Sequence, residues 1–347
     1  MSNFAFLHLP EWAFLFESAS KAEELANTDA RASCFYARRT LELAVAWLYK
    51  HDRSLRLPYQ DNLSALIHEP TFRQTVGDAL FTKARLIKDL GNMAVHSSKK
   101  IVTLDAINTT RELFHICYWL ARTYGRTSRP DPSQCFDINL LPKAAAVVAQ
   151  APQQTTEQLQ KLEASLQAKD EHLSAVLADK ATLSEELKKL REEVAATKKV
   201  NTAQPDTHDY SEAATRKLFI DMLLKEAGWN LDPAKNFEVE VTGMPNNQGV
   251  GFVDYVLWGD DGKPLALIEA KRTTRSPGEG KQQAKLYADC LEQMYGQRPV
   301  IFYSNGYEHW LWDDKAYPPR PVQGFYKKTE LELAIQLRTS RKKLAEA

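Results

Sequence analysis

A chain of 347 residues has room for about two ordinary domains, at ~100–200 residues each. With 44% hydrophobic and 26% charged residues it has the composition of a packed globular protein, not that of a disordered or membrane-spanning chain. Lys+Arg and Asp+Glu balance at 45 each, so any surface for nucleic acid must be a local patch.

The four cysteines, Cys34, Cys117, Cys135 and Cys290, make no Cys-x-x-Cys pair. That argues against a zinc knuckle or a disulfide framework, and it gives each thiol a packing role in a reducing cytosol. No apolar stretch approaches the ~20 residues of a membrane helix, and the N-terminus lacks a signal-peptide pattern. The expectation is a cytoplasmic protein with no membrane partner.

From Glu11 to about Gly125 apolar residues recur at helical spacing, as in "RASCFYARRTLELAVAWLYK", where Phe35, Leu41, Leu43, Ala44, Trp47 and Leu48 share one broad face. Similar patterns in "TFRQTVGDALFTKARLIKDL" and "LDAINTTRELFHICYWLARTYG" predict an all-helical bundle over residues 1–127. The proline-bearing "GRTSRPDPSQCFDINLLPK" breaks the rhythm and predicts a linker over 128–155.

Between Leu159 and Val194 the spacing alternates three and four through Leu162, Leu166, Lys169, Leu173, Val176, Lys180, Leu183, Leu187 and Leu190. Sustained for about five heptads, it predicts a long coiled-coil helix over 156–200, on the order of 50 Å long. Such a helix can self-associate, dock on a partner or pack on its own domain, and the spacing does not choose among these.

After "NTAQPDTHD" the texture changes. A helix, "SEAATRKLFIDMLLKEAGW", precedes strand-like "FEVEV", "VGFVDYVLW" and "LALIEAKR"; a helix, "KQQAKLYADCLEQMYG", precedes "PVIFYSNG" and "EHWLWDD". That order predicts an α/β sandwich over 208–330. The helical "TELELAIQLRTSRKKLAEA" that follows reads as a lead-in, 331–347, to a further domain. The fold class is therefore multidomain, α and α/β.

The hairpin "VGFVDYVLWGDDGKPLALIEAKR" carries the chemistry. With Gly259 to Gly262 as its loop, Asp254 lies opposite Leu267, and Glu269 and Lys271 follow on that same face. A register shift of one residue would split them. Two carboxylates a few ångströms apart on a strand built for burial repel each other unless a divalent cation neutralises them. A Mg²⁺ ion there can deprotonate a water for attack on a phosphodiester, with Lys271 at the phosphate. Glu-x-Lys alone carries nothing, since Glu186-Leu-Lys188 and Glu279-Gly-Lys281 also occur.

Asp254, Glu269-x-Lys271 and then Gln283-x-x-x-Tyr287 resemble the PD-(D/E)xK nuclease core with the helical Gln-x-x-x-Tyr extension of type I restriction subunits, and the surrounding "IEAKRTT", "GKQQAKLYAD" and "PVIFYSNGYEHWLWDD" are similar to that nuclease domain over about residues 208 to 330. Val253 stands where the family name has Pro. The resemblance implies an α/β/α nuclease core that cleaves foreign double-stranded DNA, with Asp254 and Glu269 as Mg²⁺ ligands, Lys271 as the catalytic lysine, and Gln283 and Tyr287 supporting DNA engagement. Glu212 on the preceding helix would complete the acidic cluster. Lys271, Arg272, Arg275, Lys281 and Lys285 could track a DNA backbone, while aromatic "YEHWLW" reads as core strand.

"RASCFYARRTLELAVAWLY" with "DLGNMAVHS" resembles a HEPN-like helical domain found at the front of some type I restriction subunits. In HEPN ribonucleases an Arg precedes the His by several residues; here the position seven before His96 is Asp89, and the nearest upstream Arg is Arg85. That departure favours a structural His96 and a docking module for methyltransferase and specificity subunits. No Gly-x-x-x-x-Gly-Lys-[Ser/Thr] occurs, so the ATP-driven translocase of full restriction subunits is absent from this sequence. The expectation is an N-terminal fragment, with a free-standing protein of the same architecture as the alternative.

Overall fold

Five runs with helical apolar spacing account for the first half of the structure, a computed structural model that describes residues 2–143, 154–178, 181–210, 212–270, 277–304 and 309–340. The runs form α1 (Ala13–Leu25), α2 (Ala30–His51), α3 (Leu63–His68), α4 (Pro70–His96) and α5 (Thr103–Tyr124). Their ends carry expected caps: the Asp29 carboxylate accepts from the Ala32 N–H at 3.0 Å, and α4 opens with Pro70 at its first turn. Gly77, at φ +80°, takes a conformation that glycine adopts readily, and the helix is interrupted there. At Gly91 a Cβ would lie 2.3 Å from the Cβ of Arg38, so the missing side chain lets α4 approach α2 closely.

The chain divides into two compact units, Met1–Tyr210 and Ser211–Ala347. In the first, Trp12, Leu15, Leu41, Val45, Phe114 and Tyr118 belong to one core. Within that bundle Lys83 and Glu112 form an ion pair at 2.6 Å with both side chains fully buried. Cys34 and Cys117 are buried as a packing role requires, whereas Cys135 is exposed. His96 ends α4 with an exposed side chain.

The expected linker is not the break between domains. Its described part, residues 128–143, straps the bundle: Asn3 Nδ2 donates to the Asp137 carbonyl at 3.0 Å, Asn27 Nδ2 donates to the Pro142 carbonyl at 2.8 Å, and Leu141 is buried. The heptad segment also departs from expectation. It forms α6 (Thr156–Ala178) and α7 (Ala181–Thr202), both within the first unit. Glu163 pairs with Arg38 at 2.8 Å, and Lys198 pairs at 2.6 Å with Asp52 at the C-cap of α2. A straight helix would hold residues 163 and 198 about 52 Å apart, whereas Arg38 and Asp52 lie about 21 Å apart along α2. Two side-chain pairs cannot span that difference, so α6 and α7 do not continue each other as one rod. Leu159 and Val194, at the two ends of the heptad stripe, are both buried, with Val194 in the bundle core. Side chains 172–184 lie outside the described residues.

The second unit starts with α8 (Glu212–Glu226) and the short α9 (Pro233–Asn236). Then come β1 (Phe237–Thr242), β2 (Val250–Trp258), β3 (Pro264–Ala270), α10 (Pro277–Tyr295), β4 (Val300–Ser304), β5 (His309–Trp312), β6 (Arg320–Val322) and α11 (Lys328–Ser340). The described strands make a six-stranded sheet in chain order, antiparallel except for the parallel β3–β4 pair, which α10 connects. Ile220 and Leu224 of α8 and Leu331 of α11 pack with Leu257, Ile268 and Phe302, while Ala284, Ala288 and Leu291 of α10 pack with Val256, Leu267 and Ile301. Alternate residues of one strand therefore meet helices on opposite faces, an α/β/α sandwich. The first six residues of β3 are all buried, as covering on both faces requires. β6 was not legible as a strand, and α11 packs as a layer of this sandwich.

Candidate functional site

The β2–β3 turn sets the site. Gly259 N–H donates to the Lys263 carbonyl at 2.9 Å, and Gly262 takes φ +74°, so the loop runs one residue longer than Gly259–Gly262. Trp258 pairs with Pro264, and an irregularity beside Leu257 leaves Leu265 as an extra residue on β3 before Leu257 meets Ala266. From there Val256 faces Leu267 and Tyr255 faces Ile268, where the β2–β3 ladder ends. The expected Asp254–Leu267 pairing is thus corrected, since Leu267 pairs with Val256, two positions on. Asp254 and Glu269 are the next residue of each strand, just beyond that ladder.

Asp254 Oδ2 accepts from the Ala270 N–H at 2.6 Å, which fixes this carboxylate against the end of β3. Glu269 is 3% exposed. In the parallel ladder it stands beside Tyr303 of β4, whose hydroxyl is pushed above its ordinary pKa by burial. Tyr303 in turn stands opposite Trp310 of β5, the two rings stacked at 6.1 Å and 5°. One cross-strand row therefore runs from Glu269 through Tyr303 to Trp310.

Gln283 and Tyr287 come together on α10 as their four-residue spacing requires: Gln283 Nε2 donates to the Tyr287 hydroxyl at 2.7 Å. The Tyr287 ring is buried against β2 at Gly251, where a Cβ would lie 2.7 Å from Tyr287 Cε1. Sequence reasoning passed over Gly251, although a glycine inside a strand is the usual mark of such an approach. On the opposite face the Tyr255 hydroxyl donates to Asp221 Oδ1 at 2.9 Å, tying β2 to α8.

Lys271, Arg272 and Arg275 lie outside the described residues. Glu212 begins α8, and its side chain lies outside them too. Of the remaining basic candidates, Lys285 pairs with Asp289 at 3.4 Å, and Lys281 lies over the Trp312 ring, 4.6 Å from its centroid. Among the described residues no group of three or more His, Cys, Asp or Glu side chains is arranged to hold a metal ion, and no helix is long and apolar enough to cross a membrane.

Residues 238–320 match the family model described as Type I restriction enzyme R protein N terminus. That span holds Asp254, Glu269, Gln283 and Tyr287, and the match supports an R-protein N-terminal region here. Residues 20–149 match a second family model, described as a Domain of unknown function (DUF4145). No curated protein and no solved structure matches the chain.

Proposed function

We propose that the second unit is the Mg²⁺-dependent DNA endonuclease of a type I restriction R protein. The observation that carries this is the Asp254 carboxylate held on the Ala270 N–H, one residue from the buried Glu269, at the end of an apolar, doubly covered strand. Like charges brought together repel, and burial raises that cost. Hard carboxylate oxygens suit Mg²⁺, which turns the same juxtaposition into a favourable one. The match over residues 238–320 supports the family setting.

In this reading Asp254 and Glu269 hold the ion and Glu212 adds to its acidic surround. Bound Mg²⁺ lowers the pKa of a ligated water and offsets charge on the phosphate. Ala270 N–H orients the Asp254 carboxylate from behind. Lys271, two residues beyond Glu269, meets the phosphate, and Arg272 tracks the backbone. Gln283 and Tyr287, fixed to each other, support the DNA from α10. The partners are double-stranded DNA and, in the type I setting, the methyltransferase and specificity subunits, with the helical unit as the docking module.

Cleavage of supercoiled plasmid in Mg²⁺ and in Mn²⁺, beside a folded Lys271→Ala control, tests the proposal. Nicking or linearisation by the wild type alone is the expected result. Equal cleavage by both proteins removes Lys271 from the mechanism, and cleavage by neither removes the claim that this chain is a self-sufficient nuclease.

A further inference from the structure

The strand β5 was expected to be core, and its residues alternate between buried and partly buried. His309 and Leu311 are buried, while Trp310 and Trp312 are only partly so. The two tryptophans project toward the α10 side, where they pack at the margin of the cluster formed by Leu267, Leu291, Ile301 and Tyr303. Two partly buried indoles side by side on one strand keep some apolar and aromatic surface at the edge of the core.

Their position gives them a use. Trp310 is the outer member of the row that begins at Glu269, and its ring lies parallel to that of Tyr303. Trp312, two residues on, has the Lys281 ammonium 4.6 Å from its ring centroid. An aromatic face and a cation therefore lie together, beginning two strands from the carboxylates. The carboxylates that follow, Asp313 and Asp314, are held by Arg338 and Arg298, so their charge is compensated beside the shelf.

We infer that Trp310, Trp312 and Lys281 form a landing surface for an unpaired nucleic-acid strand leading to or from the carboxylate pair. This rests on the nuclease reading for its placement beside the reacting phosphate. Stacking requires a base whose face is free, which a fully paired duplex does not offer, so the occupant is single-stranded DNA such as an end, a flap or a locally opened duplex. Lys281, a cation over an aromatic ring, is placed to exchange that contact for a phosphate once the strand lies down.

The test is binding of a short fluorescein-labelled oligothymidylate to the full chain in EDTA, which removes cleavage, with a blunt duplex of equal length alongside. Trp310→Leu and Trp312→Leu keep apolar bulk but lose the stacking face; each is expected to weaken oligothymidylate binding about tenfold and to leave duplex binding within twofold. Lys281→Ala is expected to reduce the slope of log affinity against log salt by about 0.7. Thermal melting of each variant verifies the fold, and Trp310→Phe, which restores a ring, is expected to bind like the wild type. Leu variants that bind within twofold of the wild type, or a wild type that prefers the blunt duplex, overturn the inference. Plasmid cleavage by the same proteins separates the two claims: tryptophan-dependent binding without metal-dependent cleavage keeps the shelf and sinks the nuclease, and cleavage with tryptophan-independent binding does the reverse.

Discussion

The Asp254 carboxylate accepts from the Ala270 N–H at 2.6 Å, directly after the buried Glu269 at the end of β3. A ligand that binds the folded chain and not the unfolded one raises its melting temperature. Mg²⁺, or Ca²⁺ as a non-cleaving substitute, is therefore expected to raise the melting temperature of the wild type in a concentration-dependent way. Asp254→Asn and Glu269→Gln should each abolish that rise while remaining folded. A rise that survives both substitutions places the ion elsewhere.

Gly251 and Tyr287 supply a second test of the same region. Replacing a strand glycine by alanine ordinarily helps through backbone entropy and propensity. Here the new Cβ would meet Tyr287 Cε1 at 2.7 Å and Met244 Cγ at 3.0 Å, inside contact distance. Gly251→Ala is expected to destabilise the second unit by about 1–3 kcal/mol, as overpacking does. Trimming the ring with Tyr287→Leu should return part of that loss, so urea unfolding of the two single variants and the double variant should show positive coupling. Simple additivity would mean that the ring moves aside without cost.

How much of this was legible in the sequence depended on how local the determinant was. The helices of the bundle, the strands β1 to β5 and the Gln283–Tyr287 pair follow from period and spacing, and the structure has them. The register at Asp254 was not legible to the residue, because it turns on one hydrogen bond across the loop and one extra residue, Leu265. Nor does its face follow from a period of two, because Val253 and Val256 both pack on the α10 side while Tyr255 packs on the other, so alternation breaks at Asp254. The heptad stripe misled for a different reason: an apolar stripe at Leu159 and Val194 records that something covers it, and here its own bundle does. Charges such as Arg38 and Asp52, distant in sequence, choose that outcome.

Lys83 and Glu112, both fully buried, show a determinant with no local signal at all. Removing one partner breaks a fully buried ion pair, while Arg111 stays 3.3 Å from Glu112. Lys83→Met is expected to cost the first unit about 3–5 kcal/mol. The double variant Lys83→Met with Glu112→Leu should recover most of it, because paired burial of charge carries its own desolvation cost. Denaturant midpoints of the three proteins decide, and a double variant as unstable as the single one would show that the pair contributes net stability.

The same neighbourhood gives the first unit a pH dependence of calculable sign. His115 Nδ1 lies 3.3 Å from His208 Nε2, the His208 ring stacks on Tyr118 at 4.0 Å, and Tyr210 packs edge-on against His208. One imidazole must donate and the other accept, so the bond requires the accepting ring to be neutral. Burial, and then the Lys83 charge, hold His115 down to about 2; burial also lowers His208, although Asp206 and Asp209 oppose this. Between the unfolded value of about 6.5 and the folded one, the unfolded chain binds a proton that the folded chain refuses, so stability is full above that range and falls with pH inside it. The loss approaches ~1.4 kcal/mol per pH unit for His115 alone. His115→Phe removes that proton: whatever its effect at pH 7, the slope of unfolding free energy between pH 6 and pH 5 should flatten by up to about 1.4 kcal/mol per pH unit relative to the wild type. Equal slopes would mean that His115 takes up its proton without unfolding, and that the buried imidazole pair opens to solvent on its own.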